Sequence, residues 1–246
     1  MKTWPVSVAM CALVFAFGSV ASATDLYPHQ YAGQRYVAGT LILDGGYFSS
    51  VNADDIFTSD LTQATNTDLR INKEMWFLFN SAGTEWIETG SKVGYFPDGV
   101  TYCSTPCDFW EIGRPDGSIA WAQLNDSMTG QHSFEIAFEN SSTGYWDIFV
   151  DGLLARSISS FTTFAQGDHV DIGIENSDTD NSFTSGTYAD AVQARYENSQ
   201  TPTWSQWDSA SSFDNNTTGF SSVFYVAGSN SGSPDPANSV VQLNHT

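Results

Sequence analysis

Basic residues are scarce in this chain of 246 residues: Lys and Arg number 8 against 28 Asp and Glu, which gives a formal net charge of −20 at pH 7. Such a surface repels the phosphates of nucleic acids and the headgroups of anionic lipids. Beyond the first 23 residues, the sequence also lacks an apolar run of the ~20 residues that a membrane-spanning helix needs. We therefore predict no nucleic-acid partner and no membrane span.

The first residues have the pattern of an export signal. Lys2 supplies a short basic start, residues 6–20 are apolar, and Ala21, Ser22 and Ala23 form a cleavage site of small residues. We predict a signal peptide over residues 1–23, with cleavage after Ala23. The mature chain, residues 24–246, is then secreted and has the length of one sizeable all-β domain.

Cysteine and histidine are too few for common metal sites. After cleavage only Cys103 and Cys107 remain, and in an exported chain this pair predicts one local disulfide. No histidine lies near them, and the sequence contains no Gly-rich phosphate loop, His-Glu-x-x-His helix or Gly-x-Ser-x-Gly elbow. We predict no metal site and no cofactor.

Helical periodicity is almost absent, whereas apolar and polar residues alternate with a period of two in many short runs. The Asp151–Gly152 dipeptide between two such runs is a strong hairpin signal, and it predicts a three-stranded meander over residues 131–158. Short strands separated by turn residues predict an all-β sandwich or barrel, with a loosely held tail from about residue 228. Further strands are predicted at 36–43, 68–72, 74–79, 84–95, 108–112, 118–124, 170–174, 187–196 and 220–226.

Three glutamates stand within or at the end of otherwise apolar strands: Glu88, Glu111 and Glu175. A charge in such a place is costly unless it faces a cleft or has a partner. Two carboxyl groups that face each other can perform acid/base chemistry, because crowding and burial separate their pKa values. We predict a carboxylate-lined cleft in which Trp76, Asn80, Trp110 and Glu111 bind ligand, with Glu88 and Glu175 catalytic if the chain is an enzyme. The alternative for each Trp is packing, and for each Glu an ordinary position in solvent.

The order of four short segments resembles the eqolisin (glutamic peptidase) family. The segments span residues 74–80, 86–90, 109–116 and 171–175. The resemblance as a whole covers roughly residues 70–200. The resemblance implies a secreted, acid-active peptidase built as a concanavalin-like antiparallel β-sandwich, or jelly roll. It also implies that Glu175 acts as general base on a water molecule, while the residue at position 88 holds the oxyanion.

Two positions depart from the family pattern. Glu88 replaces the catalytic Gln, and Asn80 stands where the family has Asp. A carboxyl group at position 88 donates to an oxyanion only when it is protonated, so such activity requires low pH. Our first prediction is therefore a secreted, non-catalytic sandwich that binds an extracellular polysaccharide or peptide. An acid hydrolase of glutamic-peptidase type is the first alternative, and a structural surface or matrix protein is the second.

Overall fold

All the regular secondary structure in the described part of the chain is β-strand. The computed structural model describes residues 30–37, 42–51, 70–125, 130–140, 145–158, 167–176, 188–198, 204–214, 220–227 and 238–245. None of these residues belongs to a helix, so this part of the chain has no helix that could cross a membrane. The predicted signal peptide lies outside the described residues.

The described residues contain fifteen strands, joined by turns and loops. Their bounds are β1 Gln30–Tyr36, β2 Ile42–Val51, β3 Arg70–Leu78, β4 Trp86–Tyr95, β5 Tyr102–Gly113, β6 Ile119–Asn125, β7 Gly130–Asn140, β8 Tyr145–Val150, β9 Leu153–Ile158, β10 His169–Asn176, β11 Tyr188–Asn198, β12 Ser205–Gln206, β13 Ser211–Asp214, β14 Phe220–Ala227 and β15 Asn238–His245.

The strands form two antiparallel sheets, which we call sheet I and sheet II. Within the described residues, sheet I has seven strands in the order β13-β1-β10-β3-β4-β5-β6. Sheet II has the order β14-β15-β11-β2-β7-β8-β9, and the short β12 pairs with β11. Strands β10, β3 and β4 lie in the interior of sheet I, so each is hydrogen-bonded to a neighbour on both sides.

Aromatic side chains from both sheets meet in the core. The ring of Trp146 in sheet II lies 4.9 Å from the ring of Phe77 and 4.8 Å from that of Phe79, measured between centroids. At the other end of the core, Tyr36 of β1 lies 4.6 Å from Tyr196 of β11. Burial of large apolar rings between two sheets is the main stabilising contribution in a sandwich. The chain is therefore an antiparallel β-sandwich, as the sequence predicts.

Several sequence predictions can now be compared with the strands. The meander is confirmed as β7, β8 and β9, with Asp151 and Gly152 in the turn at positive φ. The disulfide between Cys103 and Cys107 is confirmed. The two predicted strands at 68–72 and 74–79 are joined in the structure, where Arg70–Leu78 form the single strand β3 because buried polar residues continue its alternation.

The expectation of a loose tail from about residue 228 fails for residues 238–245. These residues form β15, which lies between β14 and β11 in sheet II. Val241 and Leu243 are fully buried, so their period-two spacing places them in the core. The predicted strand at 36–43 is also incorrect in its bounds, because β1 ends at Tyr36 and β2 begins at Ile42.

Candidate functional site

The face of sheet I that points away from the core carries an unusual set of charged residues. Alternate residues of β3 face the core, among them Met75 and Phe77, so Glu74 and Trp76 face the opposite side. We call this side the outer face. The register places Trp76 beside Glu88 of β4, and Glu88 beside Glu111 of β5. Glutamates from adjacent strands are thereby brought together.

Three carboxyl groups of the outer face form one compact cluster. Glu74, Glu88 and Glu175 each offer an oxygen, and these oxygens all lie within 4.8 Å of one another. The three residues are 0%, 2% and 4% exposed. We call them the carboxyl cluster.

Glycines on both sides of Glu74 make this arrangement possible. Glu74 lies opposite Gly173 of β10 and Gly90 of β4. A Cβ atom at position 90 would lie 2.7 Å from the Cα atom of Glu74, and one at position 173 would lie 2.5 Å from the carbonyl oxygen of Ala32. Such contacts are too short for any side chain, so only glycine fits at both positions.

Asn72 orients one member of the carboxyl cluster. Its Nδ2 donates a hydrogen bond of 3.0 Å to Oε2 of Glu175, and both residues are buried. The two residues lie opposite each other in adjacent strands. Oδ1 of Asn72 has no hydrogen-bond partner among the described residues, so a further polar group could be bound there.

Glu74 lies between the other two members of the cluster. Both of its carboxyl oxygens are buried and lack a hydrogen-bond partner within the described part of the chain. Burial raises the pKa of Glu74 well above its ordinary value, and the nearby charges of Glu88 and Glu175 raise it further. Both effects disfavour the ionised carboxylate. A neutral, protonated Glu74 is therefore favoured at this position.

A buried ion pair forms the wall on the β5 side. Lys92 of β4 contacts Oε1 of Glu111, and both side chains are almost completely inaccessible to solvent. The Lys92 Nζ atom also lies over two aromatic rings, 4.7 Å from the centroid of Phe96 and 4.3 Å from that of Phe109. Phe96 and Phe109 form a small second core on the outer face together with the Cys103–Cys107 disulfide. This second core fixes the position of Glu111.

The wall on the β10 side is aromatic. The ring of Trp76 meets Phe213 of β13 edge to face, with 6.0 Å between centroids, and it is 8% exposed. Next to it, Arg35 makes two hydrogen bonds to Asp171, of 2.8 and 2.6 Å. Hydrogen bonding to Asp171 is the main reason that the pKa of Arg35 is raised. The pair links β1 to β10 within sheet I.

The structure brings together four of the six residues singled out from the sequence. Glu88 and Glu175 belong to the carboxyl cluster, and Glu111 and Trp76 line its walls. Trp110 does not face the site, because it belongs to the core cluster and Arg156 of β9 stacks on it at 5.4 Å. Adjacent residues of a strand point to opposite faces, which separates Trp110 from Glu111.

Asn80 also lies apart from the cluster. It follows the end of β3, where its Nδ2 donates to Oγ1 of Thr84 at 3.1 Å and its Oδ1 accepts from the Thr84 backbone N–H at 3.2 Å. These bonds close the turn between β3 and β4. The structure thus gives Asn80 a part in the turn and not in the cluster.

Three residues of the site were not predicted from the sequence: Asn72, Glu74 and Lys92. A signal for them was present, since Asn72 and Glu74 are in phase with Trp76 on β3, and Lys92 is in phase with Glu88 on β4. Polar residues that recur with a period of two in phase with a candidate residue share its face of the sheet. The alternation of polar and apolar residues is not visible in this part of the sequence, because the opposite face of β3 also carries a charge, on the buried Lys73.

The cluster has two chemical uses that its geometry allows. One water molecule can hydrogen-bond to two carboxyl oxygens that lie within 4.8 Å of each other, because each bond spans roughly 2.8 Å. Three carboxyl oxygens at this spacing could also hold one metal ion. Acid/base work on a bound water is the use that matches a protonated Glu74.

The fold and the site define a class: a concanavalin-like, jelly-roll β-sandwich with a buried carboxyl cluster on the outer face of one sheet. In sequence, the chain matches no protein-family model and no curated protein. Solved structures with some similarity include a beta-glucanase of Bacillus licheniformis, at 11% identity and a TM-score of 0.35, over 59% of this chain and 56% of that one.

Two further solved structures are similar at the same low level. Porphyranase B from Zobellia galactanivorans is 10% identical, with a TM-score of 0.34, over 60% of this chain and 64% of that one. The CBM40 of the Ruminococcus gnavus IT-sialidase, bound to alpha2,3 sialyllactose, is 8% identical, with a TM-score of 0.31, over 62% of this chain and 85% of that one. Likeness at this level carries no argument about activity, so function has to be argued from the site.

Proposed function

We propose that the chain is a secreted, acid-active hydrolase that uses the carboxyl cluster to activate a water molecule. The observation that carries the proposal is the spacing of Glu74, Glu88 and Glu175, whose oxygens lie within 4.8 Å of one another on rigid interior strands. Hydrolysis by carboxyl groups requires one ionised group as base and one neutral group as acid or hydrogen-bond donor. A crowded, buried cluster of glutamates favours such a mixed state.

Each residue of the cluster has a distinct role in this proposal. Glu175, oriented by the hydrogen bond from Asn72, accepts a proton from the attacking water. Protonated Glu88 donates a hydrogen bond to the oxygen on which negative charge develops. The low exposure of both residues strengthens these interactions, because water no longer screens them.

A peptide bond is our proposed target. The resemblance to glutamic peptidases places Glu88 and Glu175 at the positions of their two catalytic residues, and the proximity of these two groups supports a peptidase. Glycosidic bonds are the second target class, because retaining glycosidases also use two carboxyl groups at about 5 Å. The two tryptophans predicted to bind ligand favour the first class, since Trp76 and Trp110 are almost fully buried and offer no exposed face for stacking on a sugar.

Non-catalytic binding of an extracellular peptide or polysaccharide is the second candidate function. The replacement of the catalytic Gln by Glu88 favours it at neutral pH, where two ionised carboxylates would oppose a developing negative charge. Activity measured as a function of pH therefore separates the two candidates. The hydrolase functions only where the cluster retains protons.

The test is cleavage of an unfolded protein and of soluble polysaccharides by the chain that begins at Thr24, from about pH 2 to about pH 7. The assay is repeated after incubation of the chain at acid pH, because Glu88 and Glu175 are buried and the site has to open to admit a substrate. Glu175→Gln and Glu88→Gln each remove one carboxyl of the cluster. Glu135→Gln on sheet II is the matched control, since its carboxylate lies 3.4 Å from Arg195, outside the cluster.

Acid cleavage that is lost in Glu175→Gln and kept in Glu135→Gln is the expected result. Activity of Glu88→Gln that extends toward neutral pH would further support the oxyanion role, because an amide donates without a proton from solution. A folded protein that cleaves nothing at any pH would rule out the hydrolase for these substrates. Binding of the same peptides and polysaccharides would then support the second candidate.

A further inference from the structure

The most unusual residue of the site is Glu74, which has no counterpart among the residues predicted from the sequence. The register places Glu88 opposite Trp76, on one side of Glu74 along the strands, and Glu175 opposite Asn72, on the other side. Glu74 therefore lies between the two groups to which we have assigned catalysis. Because Gly90 and Gly173 flank it, no side chain from the adjacent strands separates it from either group.

An ionised Glu74 would be very unfavourable in this position. The side chain is fully buried and neither oxygen has a hydrogen-bond partner among the described residues. An isolated buried carboxylate costs several kcal/mol. A neutral Glu74 avoids this cost and gains an O–H group that can donate to a neighbouring carboxylate.

The surrounding charges lead to the same conclusion. If all four buried glutamates of the outer face were ionised, Lys92 would neutralise one of them and three negative charges would remain. Burial comes first among the causes that raise the pKa of Glu74, followed by the charges of Glu88 and Glu175, while Lys92 opposes them. On the outer face, the described titratable and charged groups of the strands around Glu74 are Glu88 and Lys92 on β4, Glu111 on β5, His169, Asp171 and Glu175 on β10, and Arg35 on β1.

We propose that Glu74 is a positioning residue that keeps a proton between Glu88 and Glu175 and donates it in a hydrogen bond to whichever of the two is ionised. This inference rests on the proposed function. Its consequence is that the three carboxyl groups share their protons as one unit, so the cluster carries less charge than three separate glutamates would. The hydrogen bond also fixes the catalytic carboxylate relative to the bound water.

Infrared spectroscopy tests the protonation without any need for activity. The carbonyl stretch of a neutral, buried carboxylic acid should be present in the unsubstituted protein at neutral pH. It should disappear in Glu74→Gln and remain in the control Glu135→Gln. Absence of this band from the unsubstituted protein, or its persistence in Glu74→Gln, would overturn the proposal.

Kinetics test the positioning role. Glu74→Gln keeps the shape and a donor group, so we expect kcat/KM to fall by only about threefold, whereas Glu74→Met, which has no donor, should lose about a hundredfold. The pH profile of Glu74→Met should also be displaced, which simple loss of packing would not produce. If Glu74→Gln were as inactive as Glu175→Gln, Glu74 would act as an ionised base and the proposal would be wrong.

A metal titration tests the remaining explanation of the cluster, which is that its three carboxyl groups bind a metal ion. Stoichiometric binding of Mn²⁺ at neutral pH that is lost in Glu74→Gln would make Glu74 a metal ligand and would overturn the proposal. Failure to bind Mn²⁺, together with the infrared band, supports it. If no substrate is cleaved, the proposed function fails by itself, and the infrared result still decides whether Glu74 holds the proton.

Discussion

Replacement of Lys92 by Met should destabilise the fold strongly, and the structure allows the size of the effect to be worked out. Lys92 and Glu111 are 0% and 1% exposed, and they contact each other between the rings of Phe96 and Phe109. Loss of one partner leaves the other charge buried without compensation, which costs about 3 to 5 kcal/mol. Met fills most of the volume of the lysine stem, so the effect of lost packing is small.

The expected loss is a large part of the total stability. A domain of this size has a free energy of unfolding of about 5 to 15 kcal/mol. A loss of 3 to 5 kcal/mol should lower the melting temperature by about 6 to 20 °C. Urea unfolding followed by tryptophan fluorescence at neutral pH measures the free energy, and calorimetry measures the melting temperature.

The double variant Lys92→Met/Glu111→Gln is the decisive control. It removes both charges, so it should recover at least half of the stability that Lys92→Met loses, and the cycle gives their coupling energy directly. Glu111→Gln alone should cost less than Lys92→Met, because the charge of Lys92 lowers the pKa of Glu74, and Glu74 can then ionise and compensate the lysine. If Lys92→Met stays within about 1 kcal/mol of the unsubstituted protein, the reasoning on this buried pair is refuted.

Three further predictions concern the same region. The contribution of Glu74 to the free energy of unfolding should be largest at acid pH and should fall as pH rises through the raised pKa of Glu74, because the folded state then loses a proton that it bound more tightly than the unfolded state. Glu74→Gln should remove this contribution, so a pH profile of unfolding that this substitution leaves unchanged would contradict the assignment. Gly90→Ala should cost about 1 to 3 kcal/mol, since its Cβ would lie 2.7 Å from the Cα atom of Glu74, and a neutral effect in urea unfolding would show that β3 and β4 can separate. Replacement of Cys103 and Cys107 by Ser should cost only about 2 kcal/mol, because the bridged residues are 4 apart in sequence and the loop is short; a loss of the whole fold would mean that the second core depends on the bridge.

Much of the fold could be predicted from the sequence because period-two alternation is a local property. The meander of β7 to β9 follows from the Asp151–Gly152 turn and from runs such as Phe134, Ile136 and Phe138. Strand order could not be predicted in the same way. Nothing in the residues of β10 indicates that it lies between β1 and β3, since such pairing depends on contacts far apart in sequence.

The candidate site could be predicted only in part, for a different reason. Glu88 and Glu175 stood out because each interrupts or ends an apolar run, whereas Glu74 lies in a stretch with Lys73 and Asn72 that has the composition of an exposed turn. The structure buries all three. Lys73 faces the core side of β3 while its two neighbours face the outer side, so both sides of the sheet are polar at this point. Alternation in hydrophobicity therefore fails here as a guide.

The energetic cost of the carboxyl cluster is itself an argument for a role in function. Apolar residues of similar volume at the cluster would stabilise the protein as well or better, because buried charges lose their hydration. The cluster nevertheless lies on β10, β3 and β4, the interior strands of sheet I, where backbone hydrogen bonds on both sides hold each side chain most rigidly. Rigid strands are the supports that precise chemistry requires. A costly group of acids at the most rigid part of the sheet is therefore better explained by the binding and activation of a molecule than by the needs of folding.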